Sequence, residues 1–133
     1  SIFCANFIGK CNFFIGENVG DNTINHRGHQ IKHKGQVGAK KVVVGVRPEK
    51  IHMHEHDDSL PYHGHIELIN FLGYIYEYLI DCEGKQVRAY KRIKEHRIHD
   101  RFKIGDRVSF CFNSEDTFAW SEPDNFEEEI SLE

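Results

Sequence analysis

His52, His54 and His56 alternate along the chain, so on an extended strand all three side chains leave the same face. His63 and His65 repeat that spacing a few residues later. With Glu55, Asp57 and Asp58 beside them, three imidazoles on one face have the donor chemistry for zinc or nickel. A solvated edge strand gives the same pattern, so the three histidines are candidate ligands and no metal centre is assigned. Ten histidines are also too many for any pairing with a serine or aspartate to identify a nucleophilic set. Cys4, Cys11, Cys82 and Cys111 are scattered and contain no C-x-x-C pair, which fits reduced core or half-buried thiols better than a disulfide framework.

Phosphate chemistry has a stricter requirement. A nucleotide-hydrolysing loop needs G-x-x-x-x-G-K-[ST], whose backbone amides and lysine hold the phosphates. Neither Gly9-Lys10 nor Gly84-Lys85 has that spacing, so no cofactor and no catalytic residue is expected in this chain. Nine Lys and Arg residues fall between Lys85 and Arg107, against Glu95, Asp100 and Asp106. That stretch is either a surface for an anion or acidic partner or a solvated strand face whose cationic stems cover apolar atoms. Nucleic acid is not an expected partner, because the whole chain carries a net charge of −4 and the basic stretch offers only Tyr90 and Phe102 for stacking.

The elements that position these residues are mostly strands. Val42 to Val46 is a contiguous β-branched run, the mark of a strand buried on both faces, and Pro48 ends it while holding Arg47 extended. Asn12 to Val19 reads as a strand, and Thr23 to Lys34 as two short polar strands around Arg27-Gly28-His29, with little apolar content to anchor them. Tyr62 to Asp81 is the longest strand-like region; Gly73 marks a bend within it, with Tyr74, Tyr76, Tyr78 and Ile80 on one face. Glu83-Gly84 signals a hairpin into Gln86 to Tyr90. Val108, Phe110 and Phe112 alternate with Arg107, Ser109 and Cys111 in what reads as the final clear strand, with Phe110 inward. Ser1 to Gly9 has the spacing of a short helical turn, and its abrupt start is that of a fragment with sequence missing upstream.

Many short strands with turn signals predict an all-β barrel or sandwich. The 133 residues fit one domain over 1–120, followed by an acidic tail over 121–133. The longest apolar stretch, Phe71 to Ile80, is interrupted by Glu77 and falls well short of the ~20 residues a spanning helix needs.

The string Gly45 to Ile51 (GVRPEKI), with ANFIGKCNFFIG before it (Ala5 to Gly16) and FLG after it (Phe71 to Gly73), resembles one family. It is similar to the C-terminal TOBE regulatory domain of ATP-binding subunits of ABC importers, and the resemblance runs over nearly the whole chain. It implies an OB-like TOBE β-barrel whose role is to hold two ATPase subunits together and relay regulatory signals. It further implies that ATP and magnesium belong to an ATPase domain upstream in the same polypeptide. The partners would be that domain, a second copy of the subunit and, through the ATPase, membrane permease subunits, at the cytoplasmic face of the cell membrane. Arg47, Pro48 and Glu49 then sit at a family turn and possible interface, joined by Gly73 and the aromatic face of Tyr74, Tyr76 and Tyr78. Phe112-Asn113-Ser114-Glu115-Asp116 and the basic stretch before it resemble the polyamine branch, with Ser114 where the family often has proline. Two alternatives stand beside this: a stand-alone module for molybdate or sulfate, and a histidine-rich metal-binding domain.

Overall fold

A computed structural model describes residues 11–35, 37–93 and 102–121. The expected helical turn over Ser1 to Gly9, the tail after Ser121 and part of the basic stretch lie outside those residues. The described chain is nearly all strand, arranged in two antiparallel five-stranded sheets of the all-β, OB-like class. No helix among the described residues is long and apolar enough to cross a membrane. The sheets fall into two compact units. One is formed by the described residues up to Arg47 together with those from Asn113 to Ser121, the other by the described residues between Pro48 and Phe112.

In the first unit the β-branched run becomes the strand β4 (Lys41–Val46), with residues 42–46 all buried. Its burial follows from its neighbours: β1 (Asn12–Gly20) on one side and β10 (Thr117–Ser121) on the other, both antiparallel. β2 (Thr23–His26) and β3 (His29–Lys32) extend the sheet beyond β1, giving the order β10-β4-β1-β2-β3. That hairpin is better anchored than its polar sequence predicts. Ile24 and Ile31 face each other in register, and both are fully buried. β10 has no counterpart in the sequence reading, which ends the strands at Phe112. Its Trp120 meets Phe13 edge-on, with ring centroids 6.0 Å apart.

The second unit holds β5 (His52–Glu55), β6 (Tyr62–Phe71), β7 (Ile75–Cys82), β8 (Lys85–Arg92) and β9 (Arg107–Cys111), in the order β5-β9-β6-β7-β8. Glu83 and Gly84, with φ of 52° and 84°, make the predicted two-residue β7–β8 turn, whose left-handed backbone matches strand twist. The core is aromatic: Tyr62 stacks on Phe110 at 5.2 Å and on Phe112 at 5.5 Å, and Tyr78 meets Phe102 edge-on at 5.9 Å. Burial pushes the Tyr62 phenol up to about 12. β6 and β7 approach closely at Gly64, where an added Cβ would lie 2.5 Å from the Asp81 carbonyl oxygen.

Candidate functional site

Pro48 ends β4 and opens a single 3-10 turn, Pro48–Lys50, in which the proline is buried and Glu49 exposed. The Ile51 amide donates to the Pro48 carbonyl at 3.3 Å, closing the turn. The turn packs on β8. Ile75 pairs with Arg92 at the far end of the β7–β8 ladder, and the Ile93 amide donates to the Tyr74 carbonyl at 3.2 Å. These contacts bring Glu49, Tyr74, Ile75, Tyr90 and Arg92 around one cavity of about 460 Å³.

The cavity carries one guanidinium, one carboxylate and two phenols. Tyr90 lies opposite Glu77 in the ladder. Burial raises its phenol, and the charge of Glu77 and a hydrogen bond to it act in the same direction, against the opposing charge of Arg88. Glu77 is itself held by the Asn70 amide at 2.9 Å and the Arg88 guanidinium at 3.3 Å. Through Glu77, the Tyr90 side of the cavity is tied to Asn70 and Arg88.

Glu49 and Tyr74, named from sequence only as possible interface positions, both line this cavity, and Tyr90 and Arg92, named there only within the basic stretch, line it with them. Their two-residue spacing on a strand, with Arg92 at the hairpin end nearest Ile75, is the signal that locates them. Arg47 goes elsewhere: its guanidinium lies over the Phe118 ring at 5.5 Å, a ring that also receives the Lys34 ammonium at 5.6 Å. Gly73, with φ of 94°, forms the turn between β6 and β7 that presents Tyr74.

The three tyrosines do not form one exposed aromatic face. Tyr74 precedes β7 and is 72% exposed, Tyr76 is half-buried, and Tyr78 is fully buried in the core. Exposure falls along that face, from Tyr74 just before the strand, through Tyr76, to Tyr78 in the core. Phe71 and Leu72 flank Tyr74 in exposure, and Phe71 packs on Tyr76 at 5.6 Å.

The histidines are also divided. His52 and His54 lie on β5, opposite Cys111 and Ser109, whereas His56 follows the end of the strand. His56 Nε2 lies 3.0 Å from Asp58 and 3.3 Å from the Arg107 guanidinium, and its ring meets His63 at 5.2 Å. Nε2 donates to Asp58 when it carries a proton and accepts from Arg107 when it does not, so the two contacts are exclusive. His63 is engaged through Nδ1 by the Ser109 hydroxyl at 2.8 Å. Among the described residues no three His, Cys, Asp or Glu side chains are placed to hold a metal ion. The described cysteines, Cys11, Cys82 and Cys111, are half-buried, and burial pushes the Cys82 thiol up.

Among solved structures, the fold is similar to the cytoplasmic molybdate-binding protein ModG in its molybdate-bound crystal form. The TM-score is 0.68 at 16% identity, over 87% of this chain and 99% of that one. No curated protein matches the sequence. The TOBE domain family matches residues 44–120, from within β4 through the whole second unit to Trp120 in β10. With more than half of its length matched, the chain belongs to the TOBE domain family.

Proposed function

We propose that this chain is a binding module for a small tetrahedral oxyanion of the molybdate, tungstate or sulfate class, acting without an ATPase partner. The observation that carries this reading is its backbone likeness to 99% of a molybdate-binding protein. Local chemistry supports it. Arg92 opens onto the cavity beside the 3-10 turn, and a guanidinium offers two parallel N–H donors to two oxygens of one anion. Tyr74 lines the same cavity with a further hydroxyl donor. Glu49 opposes an anion there, which gives the reading a signed test. In isothermal titration with sodium molybdate, sodium tungstate and sodium sulfate, wild-type protein takes up one of the three saturably. Arg92→Ala weakens that uptake about tenfold or more, and Glu49→Gln strengthens it. Absence of saturable uptake by folded wild-type protein overturns the reading.

A second reading is favoured by the Gly45 to Ile51 string: the regulatory domain of an ABC importer's ATP-binding subunit. In it the chain is not an enzyme. ATP and magnesium are bound by an upstream ATPase domain, a second copy and the permease are partners, and the chain lies at the inner face of the membrane. Polyamine transport is the substrate assignment within that reading. In the first reading the protein is cytoplasmic. Sequence upstream of Ser1 separates the two, because a G-x-x-x-x-G-K-[ST] loop there supports the second.

A further inference from the structure

A second cavity, also of about 460 Å³, lies in the first unit, where the β1–β2 turn meets the segment leaving β3. Its walls are tied together by one side chain. Asn18 accepts from the Gly20 amide at 3.0 Å, and its Nδ2 donates to the carbonyls of Val37 at 2.8 Å and Ala39 at 3.0 Å. The Asn18 backbone amide donates to the Lys40 carbonyl at 2.8 Å, and the His33 amide to the Asn22 carbonyl at 2.9 Å. The turn itself runs through three successive positive φ values, 88° at Gly20, 53° at Asp21 and 54° at Asn22. This is a built cavity of the size that small-molecule sites have.

Its polarity is the reverse of an oxyanion site. Both hydrogens of the Asn18 amide are used within the wall, and so are the Gly20 and His33 amides. Among the described residues Asp21 is the one lining carboxylate, and no lysine or arginine lines the cavity. His33 is 4% exposed; the Gly35 backbone hydrogen-bonds to its ring, while its Nδ1 is buried with no hydrogen-bond partner of good geometry among the described residues. A buried polar atom left in this way costs the fold free energy that a bound group can return.

We propose that this cavity binds a small organic cation bearing N–H donors, a primary ammonium or a guanidinium group, held by the Asp21 carboxylate with His33 on the lining. An N–H donor serves both a carboxylate and a bare ring nitrogen, whereas an anion would meet the Asp21 charge. A transition metal would need at least one more His, Cys, Asp or Glu ligand than the lining supplies. The proposal is independent of the oxyanion reading, whose Arg92 belongs to the second unit, and molybdate titration of the same sample scores that reading separately.

The test is nuclear magnetic resonance of ¹⁵N-labelled protein titrated with ethylammonium chloride and with methylguanidinium chloride. Tetramethylammonium, which has no N–H donor, is the control. Saturable shifts confined to the amides of Gly20, Asn22 and Gly38, with a matching shift of the His33 ring nitrogen, support the proposal. Asp21→Asn should weaken binding by about tenfold or more. That variant suits the left-handed turn backbone, so an otherwise unchanged spectrum certifies the fold. No saturable binding by about 50 mM of either probe overturns the proposal. Binding undiminished in Asp21→Asn, equal binding of tetramethylammonium, or displacement of the probes by zinc chloride at the same amides also overturns it.

Discussion

At the scale of single residues, burial governs the chemistry more than charge does. His33 shows this most clearly. Burial lowers its proton affinity, and the Gly35 backbone hydrogen bond, which favours the charged ring, recovers only part of the loss. The sign of the pH effect follows. The folded-state pKa lies below the unfolded value of about 6.5, so the unfolded chain binds more protons as pH falls through that value. The His33 contribution to stability is complete above that value and is lost as pH falls towards the lowered folded pKa. Urea midpoints measured from pH 7.5 down to 5.5 should therefore fall more steeply for wild type than for His33→Gln. Parallel slopes would assign acid sensitivity to the other histidines. The nearby turn residues Asp21 and Asn22 are of the short polar types that tolerate left-handed backbone, so local sequence and geometry agree there.

Among the elements, β9 is the strand most firmly specified by its own residues. Val108 and Phe110 are both fully buried, as their alternation predicts, and Phe110 stacks on Tyr62. Phe110→Ala should cost about 3–5 kcal/mol in chemical denaturation, because the vacated ring volume is lined by other large side chains. A loss below about 1 kcal/mol would mean the sheet collapses around the gap. The same strand shows where alternation stops being informative. Ser109 is also fully buried, because its hydroxyl accepts from the Asp57 amide at 2.8 Å and so carries a polar group inward. β4, β6, β7 and β8 were legible for the same reason as β9: long runs of apolar or alternating residues bounded by Gly, Pro or Asp. β10 was not. Thr117 to Ser121 is short, three of its five residues are only half-buried, and its pairing partner lies far away in sequence. The candidate cavity was half legible. The turn at Pro48 announces itself in sequence, but Tyr90 and Arg92 join it only through a hairpin register that spacing alone does not supply.

For the whole molecule, the division into two units has a topological basis. The second unit is an insertion between β4 and β10, strands that pair directly with each other. Its own ends are also neighbours, since His52 on β5 stands opposite Cys111 on β9. A unit with adjacent ends and its own aromatic core has what independent folding requires. The fragment Pro48–Phe112 should therefore give a cooperative thermal transition and dispersed amide resonances when produced alone. A fragment without either would show that its sheet depends on the first unit. Residues 44–120, the span of the family match, keep all of that insertion but omit β1, β2, β3 and the first half of β4. A chain cut to that span leaves the remaining half of β4 with one neighbour, a bare edge where the complete sheet has β1.

The insertion also fixes an order of events during synthesis. A ribosome moving from the N-terminus completes β1 to β4 before the second unit, and β4 can pair with β1 as soon as both have emerged. Its other edge has to wait while the whole of Pro48 to Phe112 is made, because β10 follows all the other described strands. Throughout that interval the wholly buried run of β4, Val42 to Val46, shows an unpaired backbone edge to solvent. The nascent protein is thus still open to chaperone capture and to aggregation when the strands of its second unit are already made, and the strand that closes this window is the last of the described ones to leave the tunnel.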